Sequence, residues 1–323
     1  MSNTYLTVSV IIPTYNRASL VCQAVDSLLS QTRIPDEIIV VDDGSTDETP
    51  AVLQTYDAQV IVIRNPQKER SNARNVGLAH ATGDLVAFLD DDDTLTPQSI
   101  EIRAAFLEQN ASFDVVYGDI LMTDFNGTEQ GFYSVKTGIA APSGNVFAAF
   151  AERNRRPIHA FMFRRNILDK TGVFNPALTC LEDYHFWLRV AMHSQFHYLD
   201  EVVGVYRFHP NQTTTLQRRR MSEAEVAVRE ELFDTPAFAA LSPVQKAHAY
   251  TIQGTQYAQF GDMTPVRKWY GLSIRTAPAY ALPYLLFPLT IFGEPGISAA
   301  LRFYRSLRRI LLALVKPAAK SHG

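Results

Sequence analysis

Residues 86–97 read VAFLDDDDTLTP, and this stretch decides how the first half of the chain folds. A run of strand-forming residues leads directly into four consecutive aspartates, and Thr96-Pro97 then has the character of a helix start. Four adjacent carboxylates repel one another, so positive charge must lie near them. We expect a divalent metal ion that carries a diphosphate. The alternative is that Asp92 or Asp93 only caps the following helix.

The metal prediction follows from the spacing and chemistry of the acids. Asp90 and Asp92 stand two positions apart, so in an extended loop their side chains can converge on one ligand. Hard carboxylate oxygens suit Mg²⁺ or Mn²⁺, and such ions usually keep one or two protein carboxylates and fill the remaining positions with phosphate oxygens and water.

Strand and helix patterns alternate on both sides of this stretch. Predicted strands cover residues 7–12, 38–41, 59–63, 85–89 and 113–117. Predicted helices begin at Asn16 as a capping residue, near Pro50, at residue 71 and at Thr96, and the last two end near residues 81 and 109. This alternation predicts an α/β domain with a mostly parallel sheet flanked by helices.

The pattern becomes less regular after residue 120. We predict a loop-rich stretch to about residue 155, a strand at 158–163, a helix at 181–192 and strands within 198–208. The first domain is therefore expected to cover residues 1–215, with halves at 1–120 and 121–215. A helical C-terminal region, residues 216–323, begins near Arg218.

Polar residues follow three of the predicted strands at the points where they end. Residues 13–16, 42–45 and 90–93 occupy these positions. If the strands are parallel, all three groups lie along one edge of the sheet, where open α/β sheets bind ligands. The acids at this edge therefore mark a candidate binding site.

Composition sets the broad class of protein. The chain has 323 residues, enough for one large domain or two, and a net charge of −3 that gives no sign of a nucleic-acid partner. Its two cysteines, Cys22 and Cys180, have no metal-binding spacing and are expected to be reduced thiols. The N-terminus lacks the pattern of a signal peptide, so we expect a cytoplasmic protein.

Three segments in this order resemble family 2 glycosyltransferases of the GT-A fold. They read VSVIIPTYNRASLVCQAVDSLLSQT, EIIVVDDGSTDET and SNARNVGLAHATGDLVAFLDDDDTLTP. The resemblance is close over residues 7–100 and looser through CLEDYHFWLRV and VYRFHPNQTT, to about residue 215. It implies a Rossmann-like sheet and the transfer of a sugar from a nucleoside diphosphate donor.

The resemblance also implies site residues. Those expected at the nucleotide are Pro13, Thr14, Tyr15, Asp42, Asp43, Arg74, Asp90 and Asp91. Asp92 is the expected ligand of Mn²⁺ or Mg²⁺, and His209 is a second candidate for metal or phosphate. The family's acidic motif reads Asp-X-Asp-Asp, and here X is itself an aspartate, which leaves the register open. Asp43 would suit an N–H of uracil or thymine, which favours UDP.

Glu182-Asp183 resembles the family's Glu-Asp motif, in which the aspartate is the general base. An acceptor hydroxyl must lose its proton as it attacks the anomeric carbon, and a carboxylate with an ordinary pKa is already ionised at neutral pH. Direct displacement would invert the anomeric centre. Without the family context, a Glu-Asp pair at a helix start would only match the helix dipole.

Three other functions also place acids beside a sheet. A nucleotidyltransferase should carry a glycine-rich phosphate loop after the first strand, and PTYNRAS has no glycine. A phosphoacceptor signalling domain is shorter, and its acid pair follows the first strand. A non-catalytic sugar-nucleotide binder would need Asp43 and Asp92 but not Asp183.

The C-terminal region predicts membrane attachment. Residues 276–293 carry no charge, but Pro278, Pro283 and Pro288 interrupt them. Residues 300–316 form a basic amphipathic pattern that suits an anionic membrane surface. We expect peripheral attachment on the cytoplasmic face through residues 276–316, and an acceptor in a cell-envelope polysaccharide or a lipid-linked glycan. The alternative is a helix that packs on the catalytic domain or on a second subunit of a homo-oligomer.

Overall fold

The structure is a computed structural model that describes residues 5–65, 69–138, 141–153, 156–208, 212 and 218–302. The chain divides into two units, Met1–Ala224 and Glu225–Gly323. His209, the second predicted metal or phosphate ligand, lies outside the described residues, as does the predicted amphipathic helix beyond residue 302.

A nine-stranded sheet organises the described part of the first unit. Its strands are β1 Val8–Thr14, β2 Glu37–Asp42, β3 Ile61–Arg64, β4 Leu85–Phe88, β5 Thr94–Leu95, β6 Val115–Asp124, β7 Glu129–Phe132, β8 Phe161–Arg164 and β9 Phe196–Phe208. They run in the order β3-β2-β1-β4-β8-β6-β9-β5, and β7 pairs with β6 outside this path. The first four strands are parallel to one another, which confirms the predicted α/β architecture.

Helices cover the sheet. Those of the first unit are α1 Ala18–Leu29, α2 Thr49–Leu53, α3 Arg70–His80, α4 Ser99–Gln109, α5 Tyr133–Thr137, α6 Phe147–Arg153, α7 Leu168–Thr171 and α8 Glu182–His193. The apolar stripe predicted for α1 faces the core, since Val21, Ala24, Val25 and Leu28 are all buried. Strands β1 and β4 are buried along their whole length, as expected for parallel strands covered on both faces.

The second half of the sheet differs from a simple parallel pattern. Strand β8 runs antiparallel between β4 and β6, and β9 pairs parallel with β6. The stretch predicted as loop to residue 155 contains β7, α5 and α6. Residues 158–160, predicted as part of a strand, form a 3₁₀ turn before β8.

One predicted helix cap is wrong, and so is the capping role that was the alternative for Asp92 or Asp93. Asn16 adopts a left-handed backbone with φ of 52°, and its side-chain oxygen accepts a hydrogen bond from the N–H of Thr46 instead of from α1. The four aspartates do not cap α4 either, because that helix begins at Ser99 with Gln98 at its N-cap. The aspartates are thus available for another role.

Helices also form the described part of the second unit. They are α9 Arg218–Phe233, which begins in the first unit, then α10 Pro236–Ala239, α11 Pro243–Ala258, α12 Met263–Thr276 and α13 Leu282–Leu286. One described segment, Leu282–Arg302, is long and apolar enough to cross a membrane by length and composition alone. Most of that segment's surface is exposed, including Ile291 and Phe292.

Candidate active site

A cavity of about 220 Å³ opens at the carboxyl ends of β1, β2 and β4. Residues from all three strand ends line it, together with side chains from α3 and β9. The lining consists of Pro13, Thr14, Tyr15, Arg17, Asp43, Arg70, Asp90, Asp91, Asp92, Tyr206 and Gln212. The edge of the sheet that the sequence marked as a ligand site thus carries a concave polar surface.

Arginines compensate three of the four aspartates. Arg17 Nη1 donates to Asp91 Oδ1 at 2.6 Å and to Asp92 Oδ2 at 2.7 Å. Arg74 Nη2 donates to Asp90 Oδ1 at 2.7 Å. The protein's own guanidinium groups therefore supply part of the positive charge that the acidic stretch requires.

Asp93 is fully buried and lies against a buried histidine. Its Oδ1 accepts the N–H of Arg207 at 2.9 Å, and its Oδ2 lies 3.2 Å from Nδ1 of His159. That contact lacks hydrogen-bond alignment, and no other described group donates to this oxygen. Arg207 also donates through Nε to the carbonyl of Asp92 at 2.5 Å, which fixes the backbone of the loop.

The acids fit a divalent cation. Asp90, Asp92 and Asp93 can each place one carboxylate oxygen within 4.8 Å of the other two. Asp93 Oδ2 is a buried oxygen without a hydrogen-bond donor among the described residues. An all-oxygen set of this kind matches the preference of Mg²⁺ and Mn²⁺.

Burial and neighbouring charge separate the pKa values of the loop. Burial raises the pKa of Asp91 to about 6 and that of Asp93 to about 6, and the charge of Asp92 adds to both effects. Burial acts on Asp90 in the same direction, but the guanidinium groups of Arg74 and Arg70 outweigh it and lower its pKa. The loop therefore contains carboxyl groups of very different acidity.

The ends of β1 and β2 shape the other side of the cavity. Asp43 Oδ1 accepts from Asn65 Nδ2 at 2.7 Å and from the N–H of Glu69 at 3.2 Å, which fixes its carboxylate at the cavity wall. Asp42 is buried and accepts the N–H of Ser45 at 2.8 Å, and it is not among the lining residues. Thr14 donates to Asp91 Oδ2 at 2.8 Å and so links β1 to the acidic loop.

Arg74 joins the acidic loop to the Glu-Asp pair. Its Nη1 donates to Glu182 Oε1 at 2.6 Å while Nη2 donates to Asp90, and the guanidinium is only 2% exposed. Neither Arg74 nor Glu182 lines the cavity; both lie beneath it. The buried ion pair shows that Arg74 is not an exposed charge of α3.

Asp183 is the second residue of α8, which begins at Glu182. Leu181, which precedes the pair, has φ of 58°, a left-handed backbone conformation that residues other than glycine rarely adopt. Burial raises the pKa of Asp183 to about 6, and the charge of Glu182 contributes, while Arg74 acts in the opposite direction. The prediction of an ordinary pKa for this aspartate is therefore wrong.

Sequence reasoning missed several residues of the site. Arg17, Tyr206 and Gln212 line the cavity, and His159 and Arg207 contact the acidic loop from behind. Arg17 could have been found, since it lies three residues after the end of β1. The others come from β8 and β9 or their flanks, and their approach depends on strand pairing that no local pattern reveals.

Two solved structures, each bound to a nucleotide sugar, have a similar fold. TarS 1–349 of S. aureus, solved with UDP-GlcNAc, matches with a TM-score of 0.64 and 18% identity over 93% of this chain and 92% of TarS 1–349. The mannosyltransferase PcManGT of Pyrobaculum calidifontis, solved with GDP-Man and Mn²⁺, matches with a TM-score of 0.58 and 20% identity over 99% of this chain and 89% of PcManGT. These likenesses confirm the predicted GT-A fold.

Sequence relatives carry the same class name. An uncharacterized glycosyltransferase of Rickettsia felis is 29% identical over 210 residues, which are 64% of this chain and 35% of the relative. The chain thus spans about a third of that relative's length. An uncharacterized glycosyltransferase of Haemophilus influenzae is 30% identical over 209 residues, 64% of this chain and 70% of the relative. The model of glycosyl transferase family 2 matches residues 9–174, and the chain belongs to that family.

Proposed function

We propose that the chain is a metal-dependent, inverting glycosyltransferase that moves a sugar from a nucleoside diphosphate to an acceptor hydroxyl. One observation carries this proposal: the ends of β1, β2 and β4 meet in a single cavity, and Arg74 ties its acidic wall to the Glu182-Asp183 pair. Membership of family 2 favours this reading over a nucleotidyltransferase.

The nucleotide would occupy the part of the cavity formed by β1 and β2. Pro13, Thr14 and Tyr15 line that part, and Asp43 presents a fixed carboxylate that can accept an N–H of the base. Asp42 supports this wall through its hydrogen bond to Ser45. Asp90 and Asp91 lie at the opposite wall, where the ribose and the diphosphate would pass.

Asp92 is the expected metal ligand, and Asp90 and Asp93 lie close enough to share the ion. When bound, the Mn²⁺ or Mg²⁺ would stabilise the negative charge that builds on the departing nucleoside diphosphate. The similarity to PcManGT, which was solved with Mn²⁺, supports this assignment at the level of the fold.

Asp183 is the proposed general base. Its carboxylate accepts the proton of the acceptor hydroxyl while the hydroxyl oxygen bonds to the anomeric carbon and the bond from that carbon to the diphosphate oxygen breaks. The raised pKa makes the carboxylate a stronger base than an ordinary aspartate. Because the nucleophile enters opposite the leaving group, the anomeric configuration inverts.

Glu182 and Arg74 act as positioning residues in this scheme. The buried pair holds the start of α8 at a fixed distance from the acidic loop, since one guanidinium contacts both. Removal of either partner takes away the nearest opposite charge of the other, since Glu182 then keeps Arg70 at 3.9 Å and Arg74 keeps Asp90 at 2.7 Å. Loss of one partner of a buried ion pair destabilises a folded protein.

The donor base and the acceptor are narrower proposals. The carboxylate of Asp43 can accept the N–H of a uracil base, and TarS, which has a similar fold, was solved with UDP-GlcNAc, so we propose UDP as the nucleotide of the donor. The exposed apolar surface of Leu282–Arg302 supports attachment to a membrane surface. We propose an acceptor in a lipid-linked glycan or a cell-envelope polysaccharide, reached from the cytoplasmic face.

Donor hydrolysis tests the chemistry without knowledge of the acceptor. UDP-, GDP- and dTDP-sugars are incubated with the protein and Mn²⁺, and release of the nucleoside diphosphate is followed, with water as acceptor. We expect Asp183→Asn to abolish release while nucleotide binding stays close to that of the wild type. Undiminished release by this variant would refute the assignment of the base.

A further inference from the structure

Arg17 contacts the acidic loop where the metal would bind. Its Nη1 atom lies 2.6 Å from Asp91 Oδ1 and 2.7 Å from Asp92 Oδ2, so one nitrogen joins two carboxylates. The side chain of Arg17 is 24% exposed and lines the cavity, whereas those of Asp91 and Asp92 are 6% and 13% exposed. The contact is therefore largely shielded from water, where the attraction between opposite charges is stronger.

The backbone holds Arg17 in place for this contact. The Arg17 N–H donates to Thr49 Oγ1 at 3.0 Å, and the preceding Asn16 N–H donates to Ser45 Oγ at 2.9 Å. The left-handed conformation of Asn16 turns the chain between these two bonds. The two residues before α1 are thus anchored to Ser45, in the loop after β2, and to Thr49, at the start of α2. From this position the Arg17 side chain reaches the loop after β4.

A guanidinium and a divalent cation cannot both occupy the same carboxylate without repulsion. Asp92 is the expected metal ligand, and Arg17 already binds its Oδ2. A metal that arrives with a diphosphate also brings oxygens of negative charge to the cavity. Arginine binds phosphate oxygens with directed, charge-assisted hydrogen bonds, so the diphosphate offers the displaced guanidinium a new partner.

We propose that Arg17 is a resident cation that exchanges partners: it holds Asp91 and Asp92 before the donor binds and moves to the diphosphate when the metal takes its place. The inference rests on the proposed function, because it requires a metal at Asp92. It explains how the acidic loop keeps its shape before a donor arrives. It also predicts that the metal binds poorly alone and well together with the nucleotide.

The test measures binding of Mn²⁺ alone and of UDP in the presence of Mn²⁺. Free Mn²⁺ is followed by electron paramagnetic resonance, and UDP binding by calorimetry. We expect Arg17→Gln to bind Mn²⁺ alone about tenfold more tightly than the wild type, which corresponds to about 1.4 kcal/mol. The same variant should bind UDP with Mn²⁺ about tenfold more weakly, since the diphosphate loses its partner.

Two further variants sharpen the comparison. Arg64→Gln removes the same charge from a guanidinium that lies 3.9 Å from Asp42 and is 64% exposed, and it should leave Mn²⁺ binding unchanged. Arg17→Lys keeps a charge but shortens the side chain, so its affinity for Mn²⁺ alone should lie between those of the wild type and Arg17→Gln. This variant also serves if Arg17→Gln does not fold, which circular dichroism reports.

The outcomes separate the two claims. If the wild type binds UDP in a Mn²⁺-dependent manner but Arg17→Gln binds Mn²⁺ alone no more tightly, the exchange is refuted and the proposed function stands. If neither protein binds Mn²⁺ with or without UDP, both are refuted. An equal increase in the affinity for Mn²⁺ in Arg64→Gln would also refute the exchange. It would mean that the loss of any positive charge strengthens Mn²⁺ binding, and not the release of Asp92 by Arg17.

Discussion

Four consecutive aspartates are stable in this fold because donors from three other parts of the chain meet them. Arg74 contacts Asp90, Arg17 contacts Asp91 and Asp92, and the backbone N–H of Arg207 reaches Asp93. The acids could be recognised in the sequence because they follow a strand directly. Their pairing with Arg17 and Arg207 could not be recognised, since these arginines lie 74 and 114 positions from Asp91 and Asp93. Long-range pairing of this kind leaves no trace in local spacing.

The raised pKa of Asp183 predicts the pH dependence of turnover. Burial raises this pKa to about 6, and a general base must be ionised to accept a proton. We therefore expect kcat at saturating donor to be constant above about pH 7 and to fall about tenfold per pH unit well below pH 6. Donor hydrolysis measured from pH 4.5 to 8 checks this. A profile that stays flat down to pH 5 would contradict the assignment of Asp183.

The buried bridge made by Arg74 predicts a large loss of stability. Arg74→Gln removes the buried guanidinium that lies 2.6 Å from Glu182 and leaves the more distant and more exposed Arg70 at 3.9 Å. We expect a loss of about 3 to 5 kcal/mol in the free energy of unfolding. Chemical denaturation measures it. The matched control is Arg219→Gln, which breaks an exposed pair with Glu223 and should change stability very little. Equal losses in the free energy of unfolding of the two variants would show that the buried ion pair stabilises the fold no more than the exposed one.

Close packing between helix and sheet positions the arginine of α3. A Cβ atom on Gly77 would lie 2.4 Å from Cγ2 of Ile11, so α3 approaches β1 more closely than any other residue type would permit. This approach places Arg74, one turn earlier on the same helix, beneath the cavity. The sequence predicted the helix and the strand to within a few residues, because their apolar periodicity is local. It predicted a strand at 158–163, which overlaps β8, but not the antiparallel insertion of β8 between β4 and β6, because that insertion depends on partners far apart in the chain.

Gly77→Ala tests the contact between α3 and β1. The added methyl group must displace Ile11 or shift the helix, and we expect a loss of about 1 to 3 kcal/mol in stability, with weaker nucleotide binding as α3 moves. Denaturation of Gly77→Ala, Ile11→Ala and the double variant measures the coupling between the two positions. The double variant should lose less stability than the two single variants together, because the alanine methyl fills space that Ile11 vacates. Strict additivity would contradict the proposed contact.

At the scale of the whole chain, the candidate active site and the exposed apolar segment lie in different units. Unit Met1–Ala224 contains the cavity and the Glu182-Asp183 pair, whereas the exposed apolar residues of Leu282–Arg302 lie in unit Glu225–Gly323. The sequence predicted an α/β domain for the first part from its alternating strand and helix patterns, and a helical region for the second part. The predicted boundary at residue 215, the peripheral membrane role and the oligomeric alternative stay predictions, because they depend on surfaces and partners outside the folded core.

Charge placed on the apolar surface tests membrane attachment. Ile291 is 74% exposed and Phe292 is 66% exposed, so Ile291→Asp with Phe292→Asp should disturb the fold little. We expect the double variant to lose most of its binding to anionic phospholipid vesicles in a sedimentation assay, because burial of charged groups in the interface is unfavourable. Val135→Asp, at a site 78% exposed in the first unit, is the control and should bind as the wild type does. Unchanged binding of the double variant would contradict the proposed attachment.

The central claim is that the acidic loop binds a metal that holds a nucleoside diphosphate. The most direct measurement is calorimetric binding of UDP, dTDP and GDP, each with and without Mn²⁺, to the wild type and to Asp92→Asn. The account predicts that UDP binds most tightly, that binding requires Mn²⁺, and that Asp92→Asn loses this metal-dependent part. Nucleotide binding that is equally strong without Mn²⁺, or that survives in Asp92→Asn unchanged, would contradict it.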